Sequence, residues 1–158
     1  MRSARRLPIG GRSPAPSNRT RLTRTAHPHG GIARAAVHQL LAQREQIAIV
    51  PQNLYEFWAV ATRSAGMRPA GENGLGFSTA QASQWIGFFQ RRFILLPDRD
   101  DLPARWHELV KSLGIKGFRS HDARLAAAMQ SYGISRVLTF NGKDFKDLPV
   151  TVVDPASV

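Results

Sequence analysis

The sequence predicts an α/β fold in which a parallel sheet is flanked by helices. Short apolar runs of strand length alternate along the chain with longer segments of helical periodicity. Strands separated by helices in this way pair in parallel through right-handed crossovers. With 158 residues and no cysteine, the chain fits one domain with a real core and has no disulfide or thiolate zinc site.

The first half of the globular region is predicted to hold two helices around one strand. Apolar residues recur at helical spacing from Gly30 to about Arg44. Residues 47–50 are uniformly apolar and predict a short buried strand. Pro51 suits the first turn of the next helix, where the missing N–H costs nothing. The glycine- and proline-rich residues 64–77 then predict a long loop.

The second half repeats the alternation. Ser78 and Gln81 have the spacing of a capping box, which places a helix start there. The predicted elements after this helix are a strand at 93–96, a helix at 102–113, a helix at 121–132, a strand at 135–140, a turn around Asp144 and a strand at 150–153. No internal repeat interrupts this order.

The N-terminal segment differs from the rest in composition. Residues 1–26 are rich in Arg, Pro, Ser and Gly and carry few apolar residues, so we expect a disordered basic tail followed by a folded domain at 27–155. The net charge is +11, and seven arginines without any acid lie in residues 1–30. Such a charge favours nucleic-acid partners. No apolar run has the length of a membrane span, so we expect no membrane partner and a cytoplasmic location.

Three acids are the candidate catalytic residues. Glu56 interrupts an apolar helix that follows a strand, Asp122 lies at a helix start in line with apolar residues, and Asp144 follows another strand. Carboxyl ends of parallel strands share one rim, and Mg²⁺ or Mn²⁺ prefers oxygen ligands. Each acid also has a plain reading: Asp122 as a helix N-terminal charge, Glu56 as the partner of Arg63, Asp144 as part of a turn. Together they predict a metal-dependent nuclease site.

Three segments resemble a known family: YEFWAVATR at 55–63, SHDARLAAAMQSYGISRVLTFNGKDF at 120–145 and VTVVDP at 150–155. They are similar to the PIN domains, especially the VapC-type toxins of bacterial toxin–antitoxin systems. The resemblance implies an α/β ribonuclease that uses Mg²⁺ or Mn²⁺ held by four acids. It places the second, third and fourth acids at Glu56, Asp122 and Asp144, with Asn141 in a supporting role. It also implies an RNA substrate and a small antitoxin as partners, and it leaves a homodimer open.

The resemblance fails at the front of the chain. The family opens with an apolar strand that ends in the first acid, and that acid falls on Ala15 here. LPIGGRSP at 7–14 stands where the apolar strand is expected, so the first acid and the central strand are both expected to be missing. A shifted reading frame or start would account for this. We therefore expect weak catalysis, or a degenerate PIN domain that binds RNA or an antitoxin without cutting, or RNA binding through the basic tail.

An antitoxin would need an exposed apolar surface on the toxin. Aromatic residues of two predicted helices are the candidates for it, namely Trp85, Phe88, Phe89 and Trp106. The alternative is that all four belong to the core.

Overall fold

The computed structural model describes residues 28–64 and 74–158, which form the predicted alternation of helices and strands. In chain order the elements are α1 (Pro28–Ala42), β1 (Ala48–Ile49), α2 (Pro51–Thr62), α3 (Thr79–Arg92), β2 (Ile94–Leu95), α4 (Leu102–Ser112), α5 (Arg119–Ser131), β3 (Arg136–Leu138) and β4 (Thr151–Val153), with 3₁₀ turns at Gly142–Phe145 and Pro155–Ser157. None of the helices in these ranges is long and apolar enough to cross a membrane. The α/β fold class is confirmed.

The strands are shorter than predicted, most clearly at residues 135–140, where β3 ends at Leu138. Pairing with β4 continues for one more residue, because the Thr139 N–H donates to the Val153 carbonyl at 3.0 Å. The chain then turns, and the Thr139 hydroxyl accepts from the Asn141 N–H at 3.0 Å. This side-chain bond ends the strand and starts the turn that carries Asp144.

The strands form two parallel pairs. β1 pairs with β2, aligning Ile49 with Leu95, and β3 pairs with β4, aligning Val137 with Val152. Within the described ranges no further strand joins the two pairs into one sheet. Residues 7–14, Ala15 and the predicted basic tail at 1–26 lie outside the described residues. The predicted absence of a central strand therefore remains a prediction.

Two apolar clusters hold the helices to the strands. One is built around α5 and β3 and includes Leu125, Met129 and Val137, which are all buried. The other joins α1, α2 and α3 around Phe57 and Phe89, whose rings meet edge to face with centroids 4.9 Å apart. Together they fix α2 and α5, the helices that carry two of the candidate acids.

Local side-chain bonds define the starts of α2 and α3. Pro51 occupies the first turn of α2, and the Asn53 Oδ1 accepts from the Val50 N–H at 2.9 Å. The predicted capping box of α3 is confirmed: Gln81 N–H donates to Ser78 Oγ at 3.2 Å, and Ser78 N–H donates to Gln81 Oε1 at 2.9 Å. Because α2 starts two residues after β1 ends, Glu56 stays close to the carboxyl end of that strand.

Candidate active site

Glu56 lies in the second turn of α2 and is half-buried. Its neighbour Phe57 is fully buried and fixes the rotation of the helix against the core. The Gln52 side chain, one turn earlier, donates from Nε2 to Glu56 Oε1 at 2.8 Å. The carboxylate is therefore held in place by its own helix as well as by the fold.

Asp122 lies in the first turn of α5 and is also half-buried. The next residues along the same helix, Ala123 and Leu125, are buried against the strands. The expectation that Asp122 follows the inward face of its helix agrees with this burial. A carboxylate at a helix N-terminus is favoured by the helix dipole, but burial opposes its charge.

Asp144 is carried by the 3₁₀ turn that follows β3. Its backbone N–H donates to the Asn141 carbonyl at 3.0 Å, so Asn141 supports the turn through its main chain. The adjacent Phe145 is buried and anchors the turn to the core. Asp144 thereby follows a strand end, as the sequence predicts.

The electrostatics of Asp122 depend on the two other acids. Burial, then the negative charges of Asp144 and Glu56, raise the pKa of Asp122 from 3.8 to about 6. The charges of His121 and Arg119 act in the opposite direction but are outweighed. The expectation that crowded carboxylates raise at least one pKa is confirmed, and the structure places Glu56 and Asp144 within electrostatic reach of Asp122.

The donor set fits a hard divalent cation held loosely. Within residues 28–64 and 74–158, no three His, Asp or Glu side chains form a preassembled metal-binding group. Mg²⁺, however, is usually held by one or two carboxylates, with water and substrate phosphate oxygens completing its shell. A half-buried carboxylate repelled by two others has the chemistry for such an ion, since a cation would relieve the repulsion.

Basic side chains lie close to two of the acids along the chain. Arg119, His121 and Lys143 are exposed, and Arg119 and His121 act electrostatically on Asp122. Arg119 also donates from Nη2 to the Lys146 carbonyl at 2.6 Å, which ties α5 to the turn that carries Asp144.

Sequence reasoning missed a polar chain behind Glu56. Gln52 accepts at Oε1 from Arg124 Nη1 at 2.9 Å, and Arg124 Nη2 is ion-paired with Asp98 Oδ2 at 2.6 Å. The available signal was the four-residue spacing of Gln52 and Glu56, which places both on one helix face. The contact of Gln52 with α5 had no sequence signal, because the partners are about seventy residues apart.

An apolar groove lies between α1 and α3, away from the three acids. Its volume is about 770 Å³, and it is lined by Arg34, Val37, His38, Leu41, Gln84, Trp85, Phe88, Phe89, Arg92 and Phe93. Phe88 is 44% exposed and Trp85 is half-buried, whereas Phe89 is fully buried. Phe88 and, in part, Trp85 are thus exposed as the predicted surface requires, whereas Phe89 belongs to the core, so the prediction is wrong for that residue. Trp106 is half-buried like Trp85, but it packs in the other cluster, donates from Nε1 to the Ser120 carbonyl at 3.0 Å and does not line this groove.

Comparison with known proteins gives a consistent fold assignment from structure. No protein-family model and no curated protein matches the sequence. The VapBC2 complex from Rickettsia felis, solved with a DNA fragment from their promoter, matches with a TM-score of 0.64 and 17% identity, covering 90% of this chain and 97% of that chain.

Two further solved structures match over similar lengths. VapC20 of Mycobacterium tuberculosis, a toxin that cleaves the sarcin–ricin loop, matches with a TM-score of 0.60 and 18% identity over 84% of this chain and 92% of that chain. FitAB bound to the IR36 DNA fragment matches with a TM-score of 0.60 and 16% identity over 92% and 95%. The chain therefore has the fold of the VapC-type PIN domains.

Proposed function

We propose that this domain is a metal-dependent ribonuclease of the PIN type that hydrolyses RNA phosphodiesters. The observation that carries the proposal is the half-buried Asp122, whose pKa is raised by burial and by the carboxylates of Asp144 and Glu56. Burying a charged carboxylate within electrostatic reach of two others is unfavourable unless a cation offsets the charge. Carboxylate clusters with perturbed pKa values are more frequent at functional sites than elsewhere. Similarity to a toxin that cleaves the sarcin–ricin loop supports the reaction class.

The acids would bind the metal ion, and the basic residues would bind the RNA. Glu56, Asp122 and Asp144 would hold Mg²⁺ or Mn²⁺, and Asn141 would keep the turn of Asp144 in place through its carbonyl. Such an ion supplies charge stabilisation to the scissile phosphate and lowers the pKa of a bound water. Arg119, His121 and Lys143 would attract and orient the RNA backbone by charge. No nucleophilic side chain would be required, because the oxygen of a water would form the new bond to phosphorus while the bond from phosphorus to the leaving ribose oxygen breaks. The water would give up a proton, and the leaving oxygen would take one up.

The chain in its present form should cleave RNA slowly or not at all. The resemblance to VapC-type domains assigns the first acid to Ala15, which offers no ligand atom. With one carboxylate fewer, the ion is held by fewer oxygens and binds more weakly. Because the ion binds more weakly, the repulsion among the remaining three carboxylates is offset less completely. The alternative function is binding of RNA or an antitoxin without cleavage. In that case RNA would be held at the surface of the three acids without the chemical step, and an antitoxin would be held elsewhere on the domain.

Cleavage of end-labelled RNA by the purified chain with and without Mn²⁺ tests the proposal. We expect slow, metal-dependent cleavage at most, and loss of any cleavage in Asp122→Asn. Rapid cleavage that Asp122→Asn abolishes would support the nuclease function, and it would refute the expectation that this chain cleaves RNA slowly. Metal-independent cleavage, or Mn²⁺ binding that Asp122→Asn leaves unchanged, would refute the proposed site. Asp100→Asn, at an exposed position outside the cluster, is the matched control.

We also propose that the groove between α1 and α3 receives an amphipathic segment of a small antitoxin. Two of the similar structures are toxin–antitoxin complexes. The lining of the groove combines apolar side chains, including Phe89, with Arg34, His38 and Arg92. A helix with apolar residues at every third or fourth position and glutamates beside them would match both properties.

A synthetic helical peptide of that pattern serves as the probe, and a peptide with lysine in place of each glutamate is its control. We expect the acidic peptide to bind more tightly, and Phe88→Ser to weaken its binding by about tenfold or more. Phe118→Ser removes an aromatic side chain that is 91% exposed at the start of α5 and should have no effect. Equal binding of both peptides, or equal loss in both variants, would refute this surface.

A further inference from the structure

We propose that Gln52 is a positioning residue for the candidate active site, and that Arg124 acts through it. This inference rests on the proposed function, because its purpose is to hold Glu56 in place for a cation. Gln52 is 8% exposed, yet it carries a full set of polar contacts. A buried carboxamide with several well-formed hydrogen bonds is a restraint on whatever it contacts.

The donor end of Gln52 joins two helices at the site. Nε2 donates to Glu56 Oε1 at 2.8 Å within α2, and to the His121 carbonyl at 2.9 Å in the first turn of α5. His121 directly precedes Asp122. One amide group therefore fixes the carboxylate of Glu56 relative to the backbone that presents Asp122.

The acceptor end sets the direction of the amide. Oε1 accepts from Arg124 Nη1 at 2.9 Å, and Arg124 Nη2 pairs with Asp98 Oδ2 at 2.6 Å. Rotating the amide by half a turn would place its oxygen against the Glu56 carboxylate and its NH₂ against the guanidinium, which has only donors. Arg124 thus forces the NH₂ of Gln52 toward Glu56. Asp98 holds Arg124 in turn.

The hydrogen bond from Gln52 would keep the Glu56 carboxylate in position to bind a cation. Neighbouring carboxylates repel one another when both are charged, and the hydrogen bond from Gln52 Nε2 holds the Glu56 carboxylate in one position against such repulsion. Groups that orient metal ligands from outside the coordination shell typically change metal affinity by about 10–100-fold when they are removed. The polar chain from Asp98 to Glu56 has the geometry of such an orienting group.

Gln52→Met keeps the length of the side chain and removes its polar atoms. We expect it to lower Mn²⁺ affinity, measured by electron paramagnetic resonance, by about tenfold or more. Arg124→Met should lower the affinity less. Because Arg124 acts through Gln52, the double variant should lose no more than Gln52→Met alone. Arg105→Met is the matched control. It removes an exposed ion pair with Asp101 of the same 2.6 Å length, and this pair does not involve Glu56, Asp122 or Asp144.

A purely structural role for Gln52 gives a different result. Gln52→Met would then lower the melting temperature while leaving Mn²⁺ affinity like that of the control, and the proposal would be overturned. Additive losses in the double variant would overturn the part assigned to Arg124.

A measurement without metal separates this inference from the proposed function. Nuclear magnetic resonance should show the Gln52 side-chain amide protons protected from exchange, with protection reduced in Glu56→Ala. If the wild-type chain bound no Mn²⁺, the proposed function would fail and the exchange result would decide the positioning role alone. Exchange as fast as that of a free glutamine would overturn it.

Discussion

Replacing Asp122 by Asn should stabilise the metal-free protein at neutral pH. The pKa of Asp122 is raised from 3.8 to about 6 in the folded state, chiefly by burial. A shift of about two pKa units corresponds to about 3 kcal/mol. Because the side chain is only half-buried, solvent screening reduces the expected effect to about 1–2 kcal/mol.

The sign of the effect depends on pH. A raised carboxyl pKa means that the folded state binds the proton more tightly than the unfolded state does. Its contribution to stability is therefore complete below about pH 4 and is lost as the pH rises through about 6. The neutral Asn cannot lose a proton, so it avoids this loss.

Urea unfolding of both proteins with a chelator, from about pH 4 to about pH 7.5, measures the difference. We expect the two free energies of unfolding to be similar at the acid end and Asp122→Asn to be more stable by about 1–2 kcal/mol at the neutral end. Asp100→Asn, at an exposed position, should show no such divergence. A difference that does not change with pH, or an Asn variant that is less stable at neutral pH, would refute the electrostatic reasoning.

Three further results follow from the described contacts. Mn²⁺ should raise the melting temperature of the wild type at neutral pH and much less below about pH 5, because protonated Asp122 is a poor ligand; equal shifts at both pH values would contradict this. Phe57→Ala should cost about 3–5 kcal/mol in urea unfolding, since the ring is fully buried against Phe89. Ser78→Ala should cost about 1 kcal/mol through loss of the α3 cap, whereas Ser112→Ala, whose hydroxyl donates to the Leu109 carbonyl at the exposed end of α4, should cost less.

The order of the elements was readable from the sequence because each carries a local signal. Pro51 and the Ser78–Gln81 pair mark helix starts, and the apolar run at 47–50 marks a strand. Strand ends were less predictable, since a side-chain bond from the Thr139 hydroxyl, rather than a change in composition, turns the chain after β3.

In the candidate site, too, some features had a signal in the sequence and others had none. The three acids were candidates from the sequence alone, because Glu56 interrupts an apolar helix, Asp122 lies at a helix start and Asp144 follows a strand. The restraint on Glu56 could not be predicted, because the Gln52 amide reaches the backbone of His121 on another helix. The separation of Trp106 from Trp85 could not be predicted for a related reason: apolar periodicity shows that a face is buried, but it does not show which cluster the face joins.

Binding of Mn²⁺ to the purified chain, followed by electron paramagnetic resonance at neutral pH, tests the central claim most directly. The claim is that Glu56, Asp122 and Asp144 share one cation. We expect the wild type to bind, and Glu56→Gln, Asp122→Asn and Asp144→Asn each to weaken binding by about tenfold or more, which is at least 1.4 kcal/mol. Binding that all three substitutions leave at the level of the wild type would contradict the account.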